Sequence, residues 1–435
     1  MRGTHVAGIA AGNARISSGA YLGIAPNANL INLRVLNSQG TGTISSLLSA
    51  LDWVLTNRSN HNIRVVNMSL GAAAVDSYKK DPICKAVRHL VNKGVVVVAA
   101  AGNNGVNASG QKIYGQIHSP GIEPSAITVG AANSYGTDSR ADDSITTYSS
   151  RGPTRSYSTD GNGTRHYDNL IKPDIVAPGN KLIAAESVNN LLVSQNPGLD
   201  AEVSDVVTRK MMRLSGTSMA APVAAGAAAL LLQINPKLTP NLVRAIMMYT
   251  AQPLAGYNML EQGAGQLNIE GAARLAKMIR TDLTNSTPLG APLLTSAEGP
   301  LPETAIADHT FGWSQGIILN YTYITGRDLA IYYQKIYGTG VLLSEGVIAG
   351  DGVIAGDMTK LTEGIQTGQN VMISNGVIAG DGVVFCAYGL LLSDTLLRED
   401  QFLGDGVIAG DAAGVIAGDT IMRGDETACM PSTPD

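Results

Sequence analysis

Residues 95–105 read Val-Val-Val-Val-Ala-Ala-Ala-Gly-Asn-Asn-Gly, an unbroken apolar run that ends in a turn. A strand apolar on both faces must be covered on both, the condition of a central strand in a parallel sheet. Just upstream, Asp81 to Lys93 has helical spacing. It is opened by Asp81-Pro82, a cap and first-turn pair, and ended by Gly94. Further out, Arg64 to Ser69 is a second apolar run and Asn29 to Leu36 has strand character. Between them Thr43 to Arg58 is helical through Ile44, Leu47, Leu48, Leu51 and Val54. Downstream, Ala126 to Ala131 and Asp174 to Ala177 read as shorter strands. Met219 to Gln233 is apolar almost all round, so it predicts a buried central helix. Thr239-Pro240 opens another helix to Thr250, and Ile269 to Met278 makes one more. The alternation predicts a three-layer α/β architecture, with chemistry in the Gly-rich connections at the carboxyl ends of the strands.

Composition narrows the function. Hydrophobic residues make up 44% of the 435, charged residues 15%, and Gly numbers 50, as expected of a compact, turn-rich chain. The net charge is −5, with no block of like charge, which argues against a nucleic-acid footprint. No apolar run approaches the ~18 residues that cross a bilayer. Cys84, Cys386 and Cys429 lie far apart, with no metal-knuckle spacing. A disulfide framework is not expected, and a single Cys386–Cys429 bridge is a minor alternative. No signal-peptide pattern stands at Met1, and the first residues read as the inside of a domain.

Three regions follow. Residues 1–277 carry the α/β pattern; 278–345 read as a linker and a small β-rich segment. Residues 346–435 carry Gly-Val-Ile-Ala-Gly-Asp hexads starting at Gly346, Gly352, Gly376, Gly406 and Gly414. Too few copies are consecutive for a solenoid, so a weakly ordered tail is expected, with calcium-binding turns as the alternative.

The stretch Leu214-Ser215-Gly216-Thr217-Ser218-Met219-Ala220-Ala221-Pro222 places a serine in the first turn of the buried helix, among small neighbours. There the helix N-terminus offers free N–H groups and positive potential to a developing oxyanion. A serine before a helix is more often a simple cap. The whole motif, however, resembles the nucleophile segment of subtilisin-like serine peptidases, with Ser218 as nucleophile. Residues 95–105 resemble that family's strand and turn bearing the oxyanion-hole asparagine, here Asn103. Asn67-Met68-Ser69-Leu70-Gly71 resembles its substrate-pairing strand end. By the resemblance, Ser69, Leu70 and Gly71 form one wall of the main specificity pocket, and Ala100, Ala101 and Gly102 form the other. Supporting matches are Gly23-Ile-Ala-Pro26, Tyr148-Ser-Ser-Arg-Gly-Pro153 and Lys172-Pro-Asp-Ile-Val-Ala-Pro-Gly179. The resemblance covers residues 1–277 and points to the AprX-like branch. It implies a subtilisin-like fold, polypeptide substrates and serine endopeptidase chemistry. Structural calcium is common in the family, but no ligand set is recognisable and no metal residue is assigned. A small or apolar side chain beside the scissile bond is the family-level expectation. Family membership favours export, whereas the AprX-like branch includes intracellular enzymes.

One segment departs from the pattern. The family's catalytic histidine is the first of two in a His-Gly-Thr-His-Val-Ala-Gly motif, and this chain reads Arg2-Gly3-Thr4-His5-Val6-Ala7-Gly8. Arg2 holds the catalytic position and cannot act as a base. His5 matches the second histidine, about 4.5 Å further along a helix, and is expected buried beneath the cleft. The family's aspartate, which precedes that histidine, is absent. His61, His89, His118, His166 and His309 are expected at the surface or in turns, and Pro120 in a turn near the cleft. The incomplete triad predicts a very poor peptidase, either an N-terminally truncated enzyme or a peptide-binding pseudoenzyme of the same fold. A third reading makes the repeat tail the working part.

Overall fold

The computed structural model describes residues 2–37, 39–288 and 290–338, and four short strands beyond them. In chain order the elements begin with α1 (Arg2–Ala11), α2 (Ile44–Asn57), β1 (Val65–Met68), α3 (Pro82–Asn92) and β2 (Val96–Ala100). Next come β3 (Ile127–Asn133), β4 (Ser144–Ile145), the hairpin β5 (Tyr157–Thr159) and β6 (Arg165–Tyr167), β7 (Ile175–Pro178) and β8 (Leu182–Ala185). After α4 (Leu191–Gln195), β9 (Met211–Leu214) leads into the long helix α5 (Thr217–Ile234). Then follow α6 (Pro240–Thr250), α7 (Met259–Gln262) and α8 (Ile269–Met278). The hairpins β10 (Glu303–Ile306) with β11 (His309–Gly312) and β12 (Gly316–Leu319) with β13 (Thr322–Thr325) complete the body.

The central sheet runs β1-β2-β3, with β7 also on β3, all parallel, and β4 antiparallel at the end of β3. Alternate side chains of the valine run serve two different layers. Val95 and Val97 pack with Leu47, Leu51, Ile83 and Val87 from α2 and α3. Val96 and Val98 face the other way, into a larger core with α5, α6 and α8. The three-layer reading therefore holds. The predicted α3 cap is present: Asp81 Oδ1 accepts from the backbone N–H of Ile83 and Cys84 at 2.7 and 3.1 Å.

Asn29–Leu36 differs from expectation. It runs extended but forms no ladder among the described residues, and β1 pairs only with β2. Leu33 and Val35 still pack on the α2–α3 cluster, so the strand-like pattern reflects burial of alternate side chains without a backbone partner.

Against the expectation that no apolar run reaches membrane-crossing length, helix α5 is long and apolar enough to cross one, yet most of it is buried as the core of the α/β body. Helix α1 lies against it at close range: a Cβ on Gly226 would stand 2.6 Å from Ile24 Cβ and 3.0 Å from Ala10 O. Residues 278–338 extend the core rather than running over the surface. Leu293, Leu294, Trp313, Ile317 and Tyr337 belong to the same cluster as α5, α6 and α8. Of the hexads, those starting at Gly352, Gly376 and Gly406 contribute β14 (Val353–Ala355), β15 (Val377–Ala379) and β16 (Val407–Ala409), parallel and in register. β17 (Ile416–Ala417), from the hexad at Gly414, pairs antiparallel with β16. The rest of residues 346–435, including Cys386, Cys429 and the hexad at Gly346, lies outside the described residues.

Candidate active site

Ser218 is the second residue of α5, half-buried in the first turn, where its N–H has no intrahelical acceptor. Gly216 caps the helix at φ +147°, in the region that favours glycine, and its N–H is held by Gly179 O at 2.8 Å. The carbonyl of Ser218 is exceptional. Its helical partner would be the N–H of residue 222, which is proline and has none. Ser69 Oγ donates to that carbonyl instead, at 2.7 Å. In return Ser218 Oγ donates to Ser69 O at 3.2 Å. The end of β1 and the start of α5 are thus laced together around the serine.

Asn103 follows β2 and is turned toward the same helix end. Its Oδ1 accepts from Thr217 N at 2.9 Å and lies 3.1 Å from Thr217 Oγ1. An amide whose oxygen is held by the residue before Ser218 must present its Nδ2 hydrogens elsewhere, and Asn103 is exposed. Thr217 Oγ1 also accepts from Gly102 N at 3.2 Å, which ties the other wall to the helix. The Ser218 N–H and the Asn103 amide thus both belong to the N-terminal end of α5.

The two segments that the resemblance assigns as walls follow β1 and end β2. Ser69 and Leu70 are half-buried and Gly71 is exposed, directly after β1. Ala100, Ala101 and Gly102 are buried at the end of β2. His118 was expected at the surface or in a turn; it is half-buried between the walls, with Nε2 3.1 Å from Asn104 Nδ2. Burial pushes its pKa below the ordinary histidine value. Sequence reading missed it because the signal lies in two distant glycines, Gly71 and Gly102, whose missing Cβ atoms make room for the ring. Ser119-Pro120 is a cis peptide in the adjoining turn.

His5 is fully buried, and its Nε2 lies 3.0 Å from Leu182 O on β8 and 3.1 Å from Met212 O on β9. A ring nitrogen between two carbonyls donates, so the proton sits on Nε2. Nδ1 is buried with no partner. Burial lowers the His5 pKa, against the opposing pull of the two carbonyls. It stays a structural tie between α1 and the β8–β9 hairpin, as expected. No imidazole or carboxylate hydrogen-bonds Ser218 Oγ among the described residues. Arg2 opens α1.

Cys84 is a buried free thiol, 3.9 Å from Ser119 Oγ, and burial first, with the nearby carboxylates second, drives its pKa far up. It is inert as a nucleophile. Among the described residues no group of three His, Cys, Asp or Glu side chains is placed to hold a metal ion.

A sheet of this kind, with a serine opening the central helix opposite an asparagine at the neighbouring strand end, defines a subtilisin-like α/β fold. The sequence profile of the subtilase family matches residues 3–273, and the chain belongs to that family. It is 38% identical over 275 residues to the serine protease AprX of Bacillus subtilis (strain 168), covering 62% of this chain and 57% of that one. It is 33% identical over 272 residues to subtilisin DY of Bacillus licheniformis, covering 62% of this chain and 77% of the relative. The chain thus spans less than two thirds of the AprX relative's length. Among solved structures, the patellamide maturation protease PatA matches with 26% identity and a TM-score of 0.45, over 63% of this chain and 83% of that one.

Proposed function

We propose that this chain carries the nucleophile, the oxyanion donors and the peptide groove of a serine-type endopeptidase. The observation that supports this is the bond from Thr217 N to Asn103 Oδ1, which holds the asparagine amide against the residue that precedes Ser218. In the full reaction Ser218 Oγ adds to the scissile carbonyl as its proton passes to a base. Asn103 Nδ2 and the Ser218 N–H then hold the negative oxygen, and water hydrolyses the acyl-enzyme. An extended peptide between the Ser69–Gly71 and Ala100–Gly102 edges obtains main-chain hydrogen bonds from both.

The base is what the described site lacks. The serine's own hydrogen bond to Ser69 O leaves it a neutral alcohol, which favours a second reading, a groove that binds peptides without turning them over. Subtilisin mutants set the scale: losing the histidine costs ~2 × 10⁶ in turnover, and losing the aspartate alone ~3 × 10⁴. Restoring a histidine without its aspartate is therefore worth on the order of 10²-fold. A serine-directed phosphonylating probe tests this, read by peptide mass spectrometry. We expect weak labelling of the chain, a rise of that order at Ser218 in Arg2→His, and none in Arg2→His/Ser218→Ala. Labelling of another residue would remove Ser218 from the role. Peptide binding with no rise in Arg2→His would leave the binding module as the function.

A further inference from the structure

An imidazole lies between the two walls. The His118 N–H donates to Ala101 O at 2.9 Å, and Ser119 and Ala72 exchange both backbone bonds at 3.0 Å. Residues 118 and 119 therefore stitch the wall that ends β2 to the wall that ends β1. The ring rests against a glycine of each. A Cβ on Gly102 would stand 2.9 Å from His118 Cγ and Cδ2, and one on Gly71 would stand 3.1 Å from His118 Cβ and 3.6 Å from Nδ1. At φ +113° Gly102 holds a backbone shape that side chains disfavour, so the opening for the ring is built in.

The ring's proton can be placed. Asn104 is anchored by its own N–H to Ser150 Oγ at 3.0 Å, and its side-chain Nδ2 faces His118 Nε2 at 3.1 Å. An amide nitrogen only donates, so Nε2 accepts and the proton lies on Nδ1. Burial keeps the ring neutral at neutral pH. The ring thus presents one N–H donor, Nδ1 on its Gly71 side, with no protein acceptor for it among the described residues.

We propose that His118, oriented by Asn104, determines specificity in this pocket by selecting, just before the scissile bond, a side chain that brings a hydrogen-bond acceptor. An amide oxygen or a carboxylate meets Nδ1–H, whereas an aliphatic or aromatic side chain strips water from it and offers nothing in return. A buried donor left unpaired loses roughly ten- to a hundredfold in affinity. The preference is the reverse of the small or apolar one expected from the family. It rests on the groove reading proposed above.

The test measures binding by the whole chain, so it needs no turnover. Fluorescein-labelled Ala-Ala-Ala-Xaa-Ala amides, with Xaa as Gln, Glu, Leu or Phe, are titrated by anisotropy at about pH 7.5, where the ring is neutral. Only Xaa differs from alanine, so it alone seeks the pocket and sets the register. The peptide with Gln is expected to bind about tenfold tighter than that with Leu, and Glu against Gln separates carboxylate from amide as the preferred acceptor. His118→Gly removes the donor and leaves more room between the walls, so the order of Gln and Leu inverts; Asn104→Ala narrows the ratio. Leu or Phe binding as well as Gln in the unaltered chain would overturn the proposal, as would a ratio that a folded His118→Gly leaves unchanged. Should His118→Gly fail to fold, the unaltered series and Asn104→Ala decide. Binding of none of the peptides by a folded chain would instead bring down the groove reading, and this inference with it.

Discussion

Ser218 carries a carbonyl that its own helix cannot use, because Pro222 removes the matching N–H. Ser69 Oγ fills the vacancy, so Ser69 and Ser218 are one mechanical unit. Ser69→Ala should cost about 1–2 kcal/mol, the loss of the bond to a half-buried acceptor that the helix leaves unpaired. In a Pro222→Ala background residue 222 regains its N–H, and the same Ser69→Ala change should cost about 1 kcal/mol less. Urea unfolding of the four-variant cycle measures the coupling, and additive changes would refute it. His5 gives a pH signature at the same scale. Its folded pKa lies below its unfolded value, so between the two the unfolded chain binds the extra proton. Stability from this residue therefore falls as pH drops below about 6.5, by at most about 1.4 kcal/mol per unit. In His5→Gln that portion of the stability–pH slope should vanish when unfolding free energies are compared from about pH 7.5 downward. An unchanged slope would show that the ring is protonated in the folded protein.

At the scale of elements, β3, β7 and α6 are joined by charge as well as by apolar contact. Asp174, just before β7, accepts from Thr128 N at 2.6 Å, Lys172 Nζ at 2.8 Å and Arg244 Nη2 at 2.5 Å, all buried. Burial alone would raise its pKa, but the Arg244 and Lys172 charges outweigh that and hold it below the carboxylate range. Lys172 is pushed down to about 8, chiefly by burial. Removing one partner strands the others, so Asp174→Asn should lose about 3–5 kcal/mol by urea unfolding, far beyond a surface change. A loss under about 1 kcal/mol would contradict this account. The valine run, the Asp81 cap and the α5 helix were all legible in sequence because each is a local pattern with one physical cause. Asn29–Leu36 was half-legible: alternation reported that Leu33 and Val35 turn inward and are half-buried, but a ladder needs a partner that periodicity cannot see. Ser218 and Asn103 could be assigned as a pair only through resemblance. His118 was not, since its pocket depends on Gly71 and Gly102, which are near each other only after folding.

For the molecule as a whole, residues 278–338 behave as part of the α/β body. Trp313 is 5% exposed, donates from Nε1 to Thr304 Oγ1 at 2.9 Å and meets the Tyr249 ring edge-on at 6.2 Å. Tyr337 and Gly338 close the start of α6: Thr239 Oγ1 donates to Tyr337 O at 2.5 Å and Asn241 Nδ2 to Gly338 O at 3.1 Å. Cutting the chain after Met278 would bare Leu242, Ile246 and Leu275 and remove the carbonyl acceptors that Thr239 and Asn241 use at the start of α6. Each apolar side chain returned to water forfeits about 1.5–3 kcal/mol, so the loss of several rivals the whole stability of a domain. A protein ending at Met278 should therefore be insoluble or molten, binding ANS without a cooperative melt. A protein ending at Gly338 should melt cooperatively, because it keeps every one of these contacts. Equal melting of the two truncations would mean that the layer from Leu293 to Tyr337 is a passenger on the fold; a collapse confined to the shorter one makes it the wall behind α6 and α8.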